Sequence, residues 1–168
     1  VEGARAMAQL KIIPASAYKT IARKAAFSVD RVNKIESEVN HDVIAFLTAV
    51  SEKIGPASRY LHYGMTSSDV LDTALSLQMK RAAAIIDQKV VIALKEIKRL
   101  ALRYKMTPCI GRTHGVLAEP TTAGLKFAVW YTELARRREH LQRAARTISV
   151  GCISGAVGNF ANLDPRVE

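Results

Sequence analysis

The sequence predicts an all-α protein, with short helices before about residue 67 and much longer ones after it. Three observations carry this. Alanine and leucine are abundant while only 6% of residues are aromatic, a composition that favours helix. Apolar residues recur every three or four positions over very long stretches. Four of the five prolines fall between those stretches and the fifth at a helix start.

The elements follow in order. Val1 to Leu10, with Ala4, Met7 and Leu10 on one face, reads as the end of a helix, and Pro14 to Phe27 holds a short helix around residues 17 to 26. Ser28 can cap a third helix whose apolar positions Val32, Ile35, Val39, Val43, Phe46, Leu47 and Val50 repeat as far as Gly55-Pro56, with His41 inside it. A long helix starts near Ser68 or Asp69, either of which can cap, and continues to about Tyr104. Its stripe is Leu71, Leu75, Met79, Ala82, Ile86, Val90, Ala93, Ile97, Leu100 and Tyr104. The mean step, about 3.67 residues, belongs to a nearly straight helix rather than a left-handed coiled coil. At 1.5 Å per residue it is roughly 54 Å long, too long for a compact domain of this size to cover alone. A break from Met106 to Pro120 precedes a second long helix, about Thr121 to Val150, with Leu125, Ala128, Val129, Thr132, Leu134, Leu141, Ala144, Ala145 and Ile148 as its apolar positions. Two antiparallel rods leave apolar surface for further helices, from missing sequence or from other subunits. The chain starts inside a helical pattern and stops at Asp164-Pro165, an N-cap and first-turn signal. The expectation is a piece of something longer.

Composition narrows the class. No apolar run approaches the roughly 20 residues of a membrane span, and no signal peptide is visible. Cys109 and Cys152 lack disulfide or metal-ligand spacing and read as reduced thiols, so a soluble cytoplasmic protein is expected. The formal charge of +10 is concentrated in Lys95, Lys98, Arg99, Arg103 and Lys105 on one long helix and Arg136, Arg137, Arg138, Arg143 and Arg146 on the other. Its first reading is a solvated face or a seam facing acidic partners, its second attraction of a polyanionic small substrate. Nucleic-acid binding is not expected, because no aromatics interleave the basic residues and no groove-reading motif accompanies them.

Chemistry concentrates in two short segments. Gly111-Arg112-Thr113-His114-Gly115 sets a histidine between glycines in the break between the long helices. His62-Tyr63-Gly64-Met65-Thr66-Ser67-Ser68-Asp69 places histidine, hydroxyls and a carboxylate just ahead of a helix. Glycine lets backbone approach a ligand, and imidazole titrates near neutral pH, so His62 and His114 are site candidates. His41, with Asp42 beside it to orient or charge it, is a weaker one, and His140 lies in a charged outer stretch. The histidine spacings do not suit a zinc site.

These segments, together with Ala118-Glu119-Pro120-Thr121-Thr122, the stretch Glu38 to Phe46 and Ser154-Gly155-Ala156-Val157-Gly158-Asn159, closely resemble the adenylosuccinate lyases of the fumarase/aspartase superfamily. The resemblance covers nearly the whole chain, and Gly115-Val116 stands where fumarases and argininosuccinate lyases usually carry Leu-Gln. It implies a partial N-terminal helical domain over residues 1–67 and, over 68–168, the truncated start of a central long-helix bundle. It implies elimination of fumarate from a nucleotide substrate through a carboxylate-stabilised carbanion, in purine biosynthesis, with no metal or organic cofactor. His114 would be the general acid with Thr113 beside it, and His41-Asp42 would bind and polarise the substrate. Thr66 and Ser67 would hold a succinyl carboxylate, His62 would shape that pocket, and the loop beginning at Ser154 would line it. A homotetramer with shared active sites is also implied. The family's base-bearing loop, Gly-Ser-Ser-x-Met-Pro-x-Lys-x-Asn, does not occur in these residues, and Asn40 stands where many relatives carry a basic residue. The isolated chain is therefore expected to be inactive. The alternatives are another fumarate-releasing lyase of the superfamily and a non-catalytic helical oligomerisation module, which a Ser-Ser-x-Met-Pro-x-Lys pattern further along the gene would separate.

Overall fold

The computed structural model describes residues 1–168, whose regular elements are helices and one small hairpin. The helices are α1 (Glu2–Gln9), α2 (Ala15–Lys24), α3 (Val29–Val39), α4 (Asp42–Ile54), α5 (Ser67–Arg103) and α6 (Ala123–Thr147). Strands β1 (Pro108–Thr113) and β2 (Val116–Thr122) pair antiparallel between α5 and α6, and 3₁₀ turns occupy Pro56–Tyr60 and Pro165–Val167. Two compact units result, one of residues 1–75 with 150–168 and the other of residues 76–149. The division lies within α5, eight residues beyond position 67, and the last nineteen residues rejoin the first unit.

The first unit has its core where the amphipathic faces of the short helices meet. Met7 of α1, Ile21 of α2 and Ile54 of α4 are fully buried, each worth about 1.5–3 kcal/mol of transfer free energy. Ala4, Ile13 and Val50 join them, and so do Leu163 and Val167 from the chain's far end. Ile35 of α3 packs separately against Ala45 and Ala49 of α4. Asp164 caps the last 3₁₀ turn, accepting from the Arg166 backbone N–H at 2.9 Å. The hydrogen-bonded Arg166 guanidinium lowers this carboxyl to about 2.

The single helix expected from Ser28 to Gly55 is two helices. Asn40 takes the left-handed conformation (φ 51°) that ends α3, and His41 is extended at the N-cap of α4 rather than inside a helix. The apolar spacing passes through the break unchanged, so periodicity cannot register it. Asparagine tolerates the left-handed region, and its place after Val39 was the available local signal. Ser28 does occupy the α3 N-cap, without a side-chain capping bond.

In the second unit α6 runs antiparallel to α5. Gly124 lies against Ala101 and Lys105 near the hairpin, and Arg138 meets Asp87 further along. A methyl group at Gly124 would overlap the Lys105 backbone, so only glycine allows this crossing. The Asp87 carboxylate accepts from Arg138 Nε at 2.7 Å and Nη2 at 2.9 Å, and from Gln142 Nε2 at 3.1 Å. The Arg138 bond holds the Asp87 carboxyl below its ordinary range. Phe127 stacks edge-on to Trp130, with ring centroids 5.5 Å apart.

The expected long stripe on α5 is only partly covered. Its later members Val90, Ala93, Ile97, Leu100 and Tyr104 are half-buried, whereas Leu71, Leu75, Met79 and Ile86 are about half exposed. On α6, Leu125, Val129 and Trp130 are similarly open. Monomeric proteins rarely leave apolar surface contiguous on this scale. The isolated chain is therefore expected to self-associate at micromolar concentration, and light scattering that finds a monodisperse species of about 18 kDa contradicts this. No helix is long and apolar enough to cross a membrane.

Candidate active site

The segment from Met106 to Pro120, expected as an irregular break, is mostly hairpin. Thr113 pairs with Val116, so the loop is His114-Gly115 alone. Both residues have positive φ, 53° and 76°, the type I′ geometry that suits the twist of a two-residue hairpin. Glycine adopts this freely, while a histidine does so at a steric cost. The turn holds His114 exposed at the hairpin tip with Thr113 on the preceding strand, both in the second unit. A His-Gly pair between two short runs was the sequence signal for this hairpin. Pro108, Gly111 and Pro120 masked it, the register shifting between Ile110 and Arg112.

In the first unit the turn before α5 is organised by a residue that the sequence marked only as a cap. Asp69 is 3% exposed, and its carboxylate accepts backbone N–H bonds from Thr66 at 2.8 Å, Ser154 at 3.1 Å and Gly155 at 3.0 Å. The bond to Thr66 reaches back three residues, as in a capping box. Burial pushes the Asp69 carboxyl up, but the three N–H donors and the Cys152 thiol outweigh it and leave the group below its ordinary value. Its ionised form thus stabilises the fold above the usual carboxylate range, and this contribution disappears as pH falls through the lowered value. One turn on, Thr73 Oγ1 donates to the Cys152 carbonyl and accepts from the Cys152 N–H, each at 3.0 Å.

These bonds bring three of the expected site residues together. Thr66 and Ser67, half-buried, sit at the start of α5, where free N–H groups and the helix dipole favour an anion. Ser154 is buried, with its Oγ 3.3 Å from Cys152 Sγ. Gly64, at φ 73°, lets the Asn162 carbonyl pack directly over the turn, where a Cβ would collide with it. His62 lies in the same turn, its carbonyl accepting from the Met65 N–H, and its Nε2 is shielded with no hydrogen-bond partner in the chain. A buried imidazole nitrogen left so is costly unless a ligand completes it.

His41 and Asp42 belong to the first unit but bond only within the α4 cap. His41 Nδ1 accepts from the Ile44 N–H at 3.4 Å, and Asp42 Oδ1 accepts from the Val43 N–H at 2.7 Å. With Nδ1 an acceptor, the proton of the neutral ring is on Nε2, on a side chain that is 46% exposed. His140 is exposed on α6. No group of histidine, cysteine and carboxylate side chains is arranged to hold a metal.

The model of a lyase family matches residues 3–168. The chain is 50% identical over 163 residues to an adenylosuccinate lyase of Synechocystis sp., 48% over 164 residues to one of Thermotoga maritima and 47% over 163 residues to one of Bacillus subtilis. These matches cover 97 or 98% of the chain and 38% of each relative, so the chain spans less than half of the length of the relatives it matches. Among solved structures, a fumarate lyase of Mesorhizobium sp. BNC1 superimposes with a TM-score of 0.90 at 34% identity, covering 98% of this chain and 40% of that one. A beta-carboxy-cis,cis-muconate cycloisomerase of Acinetobacter calcoaceticus does so with 0.89 at 30% identity, again covering 98% and 40%. The chain therefore belongs to the lyase family, and within it is similar to the adenylosuccinate lyases.

Proposed function

We propose that the full-length protein containing this chain cleaves adenylosuccinate to AMP and fumarate, and the succinyl-carboxamide ribonucleotide to its amide and fumarate, by β-elimination of a C–N bond in purine biosynthesis. The observation that carries the reading is the junction at Asp69. It unites Thr66, Ser67 and Ser154 beside a histidine with an unsatisfied nitrogen, in a chain about half identical to adenylosuccinate lyases.

The roles are those the resemblance implies, and the chemistry of the residues suits them. Hydroxyls and N–H groups at Thr66 and Ser67 suit a succinyl carboxylate, whose charge grows as the carbanion forms. By the resemblance His62, whose Nε2 has no hydrogen-bond partner in the chain, would shape the same pocket. His114 would protonate the departing nitrogen, for which a group titrating near neutral pH is suited. His41, with Nε2–H as its donor, would bind and polarise substrate, with Asp42 beside it in the α4 cap. The proton is taken from carbon by a base that the family resemblance places on a serine loop outside these residues. A cytoplasmic homotetramer with active sites shared between subunits completes the proposal, and the open apolar faces of α5 and α6 support association.

The structural neighbours include a cycloisomerase, so the fold alone leaves the substrate open, and the curated relatives favour adenylosuccinate. The purified full-length gene product is expected to release fumarate from adenylosuccinate, followed by ultraviolet absorbance. Turnover of another fumarate-yielding substrate with none of adenylosuccinate would select the superfamily alternative. Absence of any turnover would select the non-catalytic module.

A further inference from the structure

We infer that Asp69 and Thr73 are positioning residues that lock the Thr66-Ser67 turn and the Cys152–Gly155 segment into one rigid receptor for the dicarboxylate half of the substrate. The inference rests on the function proposed above. It goes beyond it by assigning a role to two residues that need not touch substrate.

The geometry is that of a clamp along one face of α5. Asp69 and Thr73 are four residues apart and so project from the same side of the helix. Asp69 holds the Ser154 and Gly155 N–H groups, while Thr73 holds both the N–H and the carbonyl of Cys152. Two adjacent side chains thereby pair with four backbone groups of an irregular segment, as a neighbouring strand would. The same Asp69 carboxylate also holds the Thr66 N–H, so one anion ties together two stretches separated by more than eighty residues of sequence. Its position behind the turn has a second effect. Asp69 consumes the Thr66 N–H and leaves the hydroxyls of Thr66 and Ser67 for a ligand, so losing it both frees the turn and misdirects a donor.

This makes the two walls of the carboxylate site interdependent. Asparagine at position 69 keeps one acceptor oxygen but turns an NH₂ group toward backbone N–H donors, which cannot pair with it. The coupling between Thr66 and Ser154 is then lost. Binding that depends on the junction should weaken, whereas binding of the nucleotide half should not.

The test uses the full-length protein with Asp69→Asn, Thr73→Val and Thr73→Ser, assayed for adenylosuccinate turnover with fumarate and AMP as product inhibitors. The inhibition constant for fumarate is expected to rise about tenfold or more in Asp69→Asn and severalfold in Thr73→Val, that for AMP to stay within about twofold, and Thr73→Ser to behave as wild type. The nearly isosteric Thr73→Val, paired with its Thr73→Ser rescue, keeps the test decisive should Asp69→Asn fail to fold. Equal weakening of both inhibitors, or reduced active enzyme with neither constant changed, overturns the inference and leaves a purely structural role. Amide hydrogen exchange, which needs no activity, reads the coupling directly: Thr66 and Gly155, whose N–H groups share one Asp69 oxygen, should change protection together in Asp69→Asn, and independent behaviour of these two overturns the clamp. A wild type that releases no fumarate overturns the functional reading and the assigned ligand, while the exchange result still decides the coupling.

Discussion

Replacing His114 by asparagine in the full-length protein is expected to lower kcat by about 10²-fold or more while changing substrate affinity only modestly. A general acid acts chiefly in the transition state, and its removal typically costs 10²–10⁴ in rate. The structure dictates which replacement to make. His114 has φ 53° in a type I′ turn, a conformation that histidine and asparagine adopt more readily than alanine, so alanine would confound the loss of the ring with a less favourable turn. Asparagine tolerates that conformation and isolates the chemistry. The asparagine variant should retain wild-type thermal stability, and its kcat against pH should lose the limb that reports deprotonation of the acid. An unchanged kcat would make His114 a turn residue and move the acid role to His41 or His62.

The 168-residue chain by itself is expected to show no appreciable fumarate release, a larger loss than any single substitution produces. The resemblance assigns proton abstraction to a serine loop that these residues do not contain, and acid catalysis alone supplies only about 10²–10⁴-fold. Restoring activity by mixing the chain with the separately expressed remainder of the protein would locate the missing group there. Robust fumarate release from purified chain of verified mass would instead mean that a base lies within residues 1–168, and that the site has been assigned too narrowly.

The helical class, the two long helices and the helix end at Gly55-Pro56 were legible in the residues themselves, and the resemblance carried by local motifs named the remaining candidate residues. Helical periodicity accumulates over many turns, so α5, observed as Ser67–Arg103, could be expected to within two residues at each end. Motifs such as Thr66-Ser67-Ser68-Asp69 and Thr113-His114-Gly115 are local, so they mark candidate residues, and carry the resemblance, without reference to the fold. Three things needed the tertiary structure. The break at Asn40-His41 preserves the apolar spacing, and one left-handed residue is invisible to a period. The hairpin at Pro108–Thr122 depends on pairing between two runs too short and too interrupted by proline and glycine to declare themselves as strands. The role of Asp69 was the least accessible. Its sequence context shows a helix cap, but its other bonds go to Ser154 and Gly155, more than eighty residues away. Local sequence determines which groups can donate, accept or titrate, whereas burial of a charge depends on which distant backbone groups the folded chain brings to meet it.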